Sequence, residues 1–418
     1  MNKPSPMLSA DHAIKLDRLA ETAVRVGLNL RAGQEVVMTA PVEALDLARR
    51  VTEHAYRAGA SLVTVILADD QQQLARYRFA EDGSFDAAPA WLYEGMAQAY
   101  RGGAARLAIV GEDPTLLSGQ DPAKVARANR ARSKAYSPAL ELIAGFAINW
   151  TIVAAATPAW ARCVFPDDPA ERALARLWDA IFSASRVAGD DPASEWAAHN
   201  ARLAQRTATL NAHRFHALHF KGPGTDLTVG LADGHEWVGG ASEAKNGIVC
   251  NANIPTEEVF TTPHRERVSG VVRATKPLSY MGALIEDIEV RFENSRIVEA
   301  KARTGQDVLQ RVLETDEGAA QLGEVALVPF SSPISKSGLL FYNTLFDENA
   351  ASHIALGQAY SKCFVDGDKM SEDELRARGA NRSLIHIDWM IGSHEIDVDG
   401  LTAAGARTPV MRRGEFTL

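Results

Sequence analysis

The chain has 418 residues, more than a single hydrophobic core usually serves, so two or three domains are expected. Its composition, with 46% apolar and 23% charged residues, is that of a globular protein. The net charge of −9 argues against general nucleic-acid binding, because that function requires a basic surface.

The sequence predicts a cytoplasmic protein that does not span a membrane. Its N-terminus lacks the apolar segment of a signal peptide. The cysteines Cys163, Cys250 and Cys363 are far apart and form no CxxC motif, which favours a reducing compartment. Residues 142–161 carry no charge over a length that can cross a bilayer. Polar residues and a proline interrupt this run, and residues 148–154 are typical of a buried strand.

The first half of the chain alternates between helical and strand-like segments. Apolar periodicity predicts helices at 11–31, 41–56, 70–78, 88–101 and 121–137. Short runs rich in Val and Ile predict strands at 35–38, 61–67, 106–111 and 149–155. This alternation indicates an α/β domain with a mainly parallel sheet covered on both faces. We place this scaffold domain at residues 1–205, with a helical bridge over residues 158–210. No GxGxxG or P-loop follows its first strand, so a nucleotide site is not expected.

After Asn211 the segments become shorter and are separated by Gly and Asp turns. This pattern indicates an α+β domain with a largely antiparallel or mixed sheet, placed at residues 206–418. Three of its segments, 253–263, 323–360 and 385–392, combine apolar residues with polar groups that need an explanation.

The segment 385–392, IHIDWMIG, is predicted to be a buried strand. His386 and Asp388 then point to the same face, roughly 7 Å apart along the strand. Burying both groups on a core strand is costly unless each has a partner. Either a mutual His–Asp pair or shared metal coordination satisfies that requirement.

The segment 253–263 contains the adjacent carboxylates Glu257 and Glu258. On a strand they face opposite sides, so only one can join a given cluster, whereas on a turn both can. A solvated edge or the beginning of a helix is the simpler interpretation of this pair.

In the segment 323–360, Glu324 opens a strand-like run and a helical stretch is predicted further along. His353 and Tyr360 are two helical turns apart and would share one face of that helix. Asp347 is explained as the helix cap and Glu348 as a first-turn residue that suits the helix dipole. The imidazole and the phenol have no such explanation.

Together the three segments provide two imidazoles, several carboxylates and a phenol within one domain. A mixed set of nitrogen and oxygen ligands suits zinc, cobalt or manganese. Such a set can hold two ions, and a pair about 3.5–4 Å apart can lower the pKa of a shared water.

The segments NIPTEEVFTTP, FYNTLFDENAASHIALGQAY and HIDWMIGS resemble the thermophilic-type metalloaminopeptidases, the family of aminopeptidases T and S. The resemblance covers most of the chain, and the motifs lie between about residues 210 and 418. It implies a dinuclear exopeptidase that removes N-terminal residues from short peptides by means of a metal-activated water. It also implies a homodimer and a substrate with a free N-terminus.

By motif matching, the resemblance implies two divalent ions, zinc, cobalt or manganese with magnesium possible, held by one set of residues. That set is Glu258, Glu324, His353, Tyr360, His386 and Asp388. Catalytic roles fall to Glu257, as the carboxylate that carries a proton to the leaving amine, and to Tyr360. The alternatives are a metal-dependent amidase or other small-molecule hydrolase, and a metal-binding protein without turnover on the same scaffold.

Overall fold

The structure, a computed structural model, describes residues 10–280 and 283–418 and separates the chain into two units. The units comprise Met1–Ala198 with Ala241–Pro255, and His199–Gly240 with Thr256–Leu418. Residues 1–9, which open the predicted scaffold domain, lie outside the described residues. The predicted boundary between residues 205 and 206 falls inside a helix, Pro192–His213.

The chain as far as residue 213 contains eight α-helices and four strands in the described range. The helices are α1 Ala10–Thr22, α2 Leu45–Arg57, α3 Asp70–Phe79, α4 Ala90–Arg101, α5 Pro122–Ala144, α6 Pro158–Val164, α7 Ala170–Ala184 and α8 Pro192–His213. The strands are β1 Glu35–Pro41, β2 Leu62–Ala68, β3 Ala105–Val110 and β4 Trp150–Ala154.

The remainder of the chain is dominated by strands. They are β5 Ala217–Gly222, β6 Thr225–Leu231, β7 Ser242–Glu243, β8 Val249–Cys250, β9 Val259–Thr261, β10 Pro263–Arg273, β11 Leu278–Tyr280, β12 Ala283–Ile285, β13 Glu289–Glu293, β14 Arg296–Lys301, β15 Leu322–Leu327, β16 His353–Gly357, β17 His386–Met390, β18 Asp397–Leu401, β19 Arg407–Arg412 and β20 Glu415–Phe416. The helices are α9 Gln306–Leu313, α10 Pro333–Ser337, α11 Thr344–Asp347 and α12 Glu372–Ala377.

The first unit is built around a parallel sheet with the strand order β2–β1–β3–β4, which confirms the predicted α/β region. The predicted cover on both faces is wrong for the edge strand β2. Its apolar residues Leu62, Val65 and Leu67 are 49%, 38% and 44% exposed. Residues 142–161 complete α5, form β4 and enter α6. Within the described residues, no helix has the length and apolar character needed to cross a membrane.

The second unit contains two larger antiparallel sheets, in agreement with the largely antiparallel region that the sequence predicts. One has eight strands in the order β14–β13–β10–β6–β5–β18–β19–β20, and the other has the order β17–β16–β15–β9. A continuous hydrophobic cluster combines residues of both sheets, such as Phe220 and Val229 from the first and Ile354 and Trp389 from the second.

The four-stranded sheet has one apolar face and one face with polar groups, because side chains alternate along each strand. The apolar face enters the core through pairs of residues from three adjacent strands. These are Val325 and Leu327, Ile354 and Leu356, and Ile387 and Trp389. The intervening residues of the same strands therefore point to the opposite face.

A bulge at Gly323 adjusts this alternation at the beginning of β15. Leu322 pairs with Leu356 and Glu324 pairs with Ala355, so Gly323 is the extra residue on its strand. A Cβ at Gly323 would lie 2.3 Å from the carbonyl oxygen of Gln358, so only glycine fits there. The bulge places Leu322 in the core while Glu324 stays on the polar face.

We expect Trp389→Ala to lower the free energy of unfolding by about 3–5 kcal/mol, because it removes a buried ring from the core that both sheets share. Val298→Ala is the control, since Val298 is 47% exposed on β14 and its truncation should change stability by less than about 0.5 kcal/mol. Denaturant unfolding measures both values. A loss at Trp389 as small as that at Val298 would contradict the assigned core.

Candidate metal centre

The polar face of the four-stranded sheet brings together side chains from three strands. Glu324 of β15 and Asp388 of β17 both pair with Ala355 of the central strand β16, so they flank the same small residue. His353 lies one row away and His386 pairs with Gly357. Because Ala355 and Gly357 have little or no side chain, the space between the flanking polar groups is left for other atoms.

Glu258 joins this face from the residues before β9. Phe260 of β9 pairs with Ala326 on the polar face, and Glu258 lies two residues earlier, on the same side. Its Oε2 is 3.1 Å from Nε2 of His353, and both side chains are buried.

The candidate ligand atoms form two groups that share Glu324. The first group is Glu258, Glu324 and His353, and the second is Glu324, His386 and Asp388. Within each group the ligand atoms lie within 4.8 Å of one another. Oε1 of Glu324 is 3.6 Å from Nε2 of His353, whereas its Oε2 is 3.7 Å from Nε2 of His386. Each oxygen of Glu324 therefore faces a different imidazole.

Both imidazoles are oriented by their second ring nitrogen. Nδ1 of His353 donates to the carbonyl oxygen of Ala351 at 3.1 Å, and Nδ1 of His386 donates to that of Gln358 at 2.8 Å. A carbonyl can only accept, so Nδ1 carries the proton and Nε2 faces the carboxylates. This is the usual orientation of a histidine that binds a metal through Nε2.

Several buried atoms of the cluster lack a hydrogen-bond partner in the part of the chain that the structure describes. They are Oε2 of Glu258, Nε2 of His353 and Oδ1 of Asp388. Leaving such atoms unpaired in a protein interior is costly. A divalent cation in the first group would satisfy Glu258 and His353, and one in the second group would satisfy Asp388, so the residues present fit a metal.

The electrostatics of the cluster show an excess of negative charge. Burial raises the pKa of Glu324, and the charges of Glu258 and Asp388 raise it further. Burial alone would lower the pKa of His386, but Asp388 and Glu324 raise it to about 9. Burial likewise disfavours the charged form of His353, yet its contacts with Glu258 and Glu324 raise its pKa well above the usual value. The carboxylates thus attract positive charge into a buried site.

The predicted helix that carries His353 and Tyr360 on one face is wrong. His353 begins strand β16, and Tyr360 follows that strand, immediately before a short 3₁₀ helix at Ser361–Cys363. The Tyr360 ring nevertheless lies beside His386, with 4.7 Å between ring centroids. Burial and the surrounding carboxylates raise the pKa of Tyr360 well above its usual value.

Glu257 lies outside both groups. Its backbone N–H donates to Oδ1 of Asn349 at 2.7 Å, and its Oε2 is 3.9 Å from Nε2 of His199. The two neighbouring carboxylates thus diverge, as expected for extended backbone.

The interpretation of Asp347 as a helix cap is wrong, because its side chain makes no capping hydrogen bond. Glu348 does lie in a first turn, that of the short 3₁₀ helix Glu348–Ala350, and not in the longer helix that was predicted to reach Tyr360. Asn343 caps α11, and Asp347, at the end of that helix, accepts hydrogen bonds from the backbone N–H groups of Phe341 and Asn343. Burial raises the pKa of Glu348 well above its usual value, and the charges of Glu258 and Asp388 add to this effect. Glu348 therefore belongs to the electrostatic environment of the cluster.

Comparison with known proteins assigns the chain to a family. A family model described as thermophilic metalloprotease (M29) matches residues 12–416. The chain belongs to this family. Because the family is one of metalloproteases, the buried cluster of carboxylates and imidazoles is the candidate metal centre.

Curated relatives in the family match nearly the whole chain. Aminopeptidase T from Thermus thermophilus is 59% identical over 403 residues, which cover 96% of this chain and 98% of that protein. Aminopeptidase AmpS from Bacillus subtilis is 44% identical over 402 residues, with the same two shares covered. The solved structure of wild-type AmpT from Thermus thermophilus superimposes with a TM-score of 0.92 at 58% identity, covering 97% of this chain and 99% of that one.

Sequence reasoning missed four residues that shape this site. Glu348 was hidden by its plausible role at the beginning of a helix, and Asn349 and His199 hold the backbone beside Glu257 from distant parts of the sequence. Ala355 has no chemistry of its own, but its position between Ile354 and Leu356 in an alternating strand could have revealed it.

We expect His386→Ala to reduce the metal bound per chain while the protein stays folded, because it removes a ligand atom from the second group only. His394→Ala is the control, since His394 is an exposed histidine close in sequence. Elemental analysis after dialysis gives the metal content, and circular dichroism reports the fold. Unchanged metal content in His386→Ala would show that His386 is not a ligand.

The buried Asp347 should make stability depend on pH. Burial raises its pKa to about 6 from an ordinary value of 3.8, so the folded protein binds this proton more tightly than the unfolded chain. Its contribution to stability is full below pH 3.8 and is lost as the pH rises towards 6, by about 3 kcal/mol at most.

Asp347→Asn should flatten the pH dependence of the unfolding free energy between about pH 4 and pH 6, as measured by denaturant titration. The same slope in wild-type and variant protein would exclude Asp347 as its source. Asp233→Asn is the control. The ion pair with Arg267 outweighs partial burial and lowers the pKa of this exposed carboxyl, so its removal should not flatten the slope between about pH 4 and pH 6.

Proposed function

We propose that the chain is a metal-dependent aminopeptidase whose site holds two divalent ions, one in each ligand group. The observation that carries the proposal is the position of Glu324, whose two oxygens each face a different histidine. A carboxylate in that position can bridge two ions. The metalloprotease family and the relatives named aminopeptidases support the same activity.

The proposed ligands are the residues that line the polar face of the sheet and its border. They are Glu258, Glu324, His353, Tyr360, His386 and Asp388. This set of nitrogen and oxygen atoms suits zinc, cobalt or manganese, and its carboxylates can also accept magnesium. Divalent ions would polarise the scissile carbonyl and lower the pKa of a water molecule.

Proton transfer is assigned to carboxylates beside the ligands. Glu257 is the first candidate for carrying a proton to the leaving amine, because it is buried next to Glu258 and lies outside both ligand groups. Glu348 is the second, since it lies within electrostatic range of Glu258 and Asp388. Tyr360, beside His386, is positioned to hydrogen-bond a group at the second ligand set.

The substrate is a short peptide with a free N-terminus. A neutral α-amino group is a nitrogen ligand for the same ions, and the carboxylates attract its charged form. A cytoplasmic location stays a prediction. It agrees with the cysteines, since none of the three, all in the described part of the chain, forms a disulfide.

Chelation tests the dependence on metal. EDTA should abolish the hydrolysis of an aminoacyl nitroanilide, and zinc, cobalt or manganese should restore it, because in the proposed reaction the ions would polarise the scissile carbonyl and activate the attacking water. Enzyme treated with EDTA and then given back the removed ions serves as the control for irreversible damage. Full activity in excess chelator would exclude the proposed mechanism.

A matched substrate panel tests the activity against the amidase and binding-protein alternatives. Each aminoacyl nitroanilide is compared with its N-acetylated form at equal concentration. An aminopeptidase requires the free amine, so acetylation should remove turnover. Equal turnover of both forms would favour an amidase, and turnover of neither would favour a metal-binding role.

We further propose a homodimer formed through the edge strand β2 of the first unit. β2 is paired only with β1 among the described strands, and its residues Leu62, Val65 and Leu67 are exposed. Phe79 and Trp91 on α3 and α4 are also 83% and 78% exposed. An exposed apolar edge normally pairs or aggregates, and a second copy offers an identical edge.

Val65→Lys should shift the protein from dimer to monomer in analytical ultracentrifugation, because it introduces a charge on the exposed face of β2. Val298→Lys is the matched control, since Val298 is exposed on a strand of the second unit. A monomeric wild-type protein, or a dimer unaffected by Val65→Lys, would contradict this interface.

A further inference from the structure

One peptide bond next to the ligand Glu258 is held from both sides by buried side chains. Nε2 of His199 lies 2.7 Å from the carbonyl oxygen of Thr256. Oδ1 of Asn349 lies 2.7 Å from the backbone nitrogen of Glu257. These two backbone atoms belong to the same peptide unit, so its plane is fixed at the oxygen and at the nitrogen.

The chemistry of each contact is unambiguous. A carbonyl oxygen only accepts, so His199 donates through Nε2–H, and a backbone N–H only donates, so Asn349 accepts through its amide oxygen. Both side chains are at least 98% buried. Asn349 is itself held, because its Nδ2 donates to the backbone carbonyl of Leu345 and its backbone carbonyl oxygen accepts from the hydroxyl of Ser332.

The orientation of this peptide determines where the next two side chains point. In extended backbone, successive side chains leave on opposite sides, so fixing the Thr256–Glu257 plane directs Glu257 one way and Glu258 the other. Glu258 then reaches His353 at 3.1 Å, and Glu257 stays within 3.9 Å of His199. A rotated peptide would turn Glu258 away from the first ligand group.

We infer that His199 and Asn349 are positioning residues that direct Glu258 into the first ligand group and hold Glu257 out of it. Both act through the backbone of one peptide. The inference rests on the proposed function, because it assigns a purpose to these contacts only if Glu258 binds an ion.

The effect should be confined to one ion. Removing a residue that orients a ligand typically weakens metal binding by about 10- to 100-fold. We expect His199→Met and Asn349→Leu, which keep side-chain volume and remove the hydrogen bonds, each to weaken the ion of the first group by this factor. The ion of the second group, held by Glu324, His386 and Asp388, should change by less than about threefold.

The two substitutions should not act independently. Because both residues hold the same peptide, releasing it at one end already allows it to rotate. Adding the second substitution should therefore weaken binding of the first ion by less than about threefold, relative to the single variant that binds it less tightly. His199→Gln keeps an N–H donor and should recover at least part of the lost affinity.

Zn²⁺ titration of the metal-free protein by calorimetry measures both affinities, and thermal unfolding of the same metal-free samples reports stability. His235→Met is the matched control, since His235 is a buried histidine that also bonds a backbone carbonyl, that of Ala232. It should lose stability without losing affinity for either ion.

The outcomes separate the inference from the proposed function. Wild-type protein that binds no Zn²⁺ would overturn the proposed metal site, and the inference with it. Wild-type protein that binds two ions, with variants that bind both as tightly, would overturn the inference alone. So would equal weakening of both ions, or fully multiplicative losses in the double variant. Selective loss of one ion, partly recovered in His199→Gln, would support it.

Discussion

The structure of the second unit depends on burying several carboxylates and two imidazoles on one face of a sheet whose other face is core. Such groups are costly in a protein interior unless charge and hydrogen bonds are balanced. Side chains alternate along each strand, so the sheet separates these polar groups from the apolar core on its other face. Burial raises the pKa values of Glu324 and Glu348, and the charges of Glu258 and Asp388 raise them further, so the divalent metal that a metalloprotease family implies would balance the charge.

Part of this arrangement could be read from the sequence because it depends on local periodicity. The segment IHIDWM alternates apolar and polar residues, so the shared face of His386 and Asp388 followed directly, and the structure places their side chains 3.4 Å apart. The four strands of the parallel sheet were recognisable for a similar reason, as short Val-rich runs between amphipathic helices. Ligand roles for Tyr360 and Glu258 came from the family resemblance.

The rest could not be predicted because non-local pairing decides it. HIALG reads equally well as the beginning of a helix, and it becomes a strand only because β15 and β17 pair with it on both sides. Asp347 has the side chain of a typical helix cap, yet it lies at the end of α11, and Asn343 caps the beginning of that helix. His199 and Asn349 lie 57 and 92 residues from the backbone groups they hold, so no sequence window shows them together.

The bulge at Gly323 has a consequence for how this family can vary. Leu322 and Glu324 are two residues apart and would share a face of a regular strand, so losing the bulge at constant length would turn Leu322 towards the carboxylates. An insertion or deletion after the bulge, between Glu324 and Leu327, would exchange the core and polar faces for every residue on one side of it. Length changes in this short strand are therefore far more damaging than substitutions. Natural variation in loop length should be found on either side of Leu322–Leu327 and not within it.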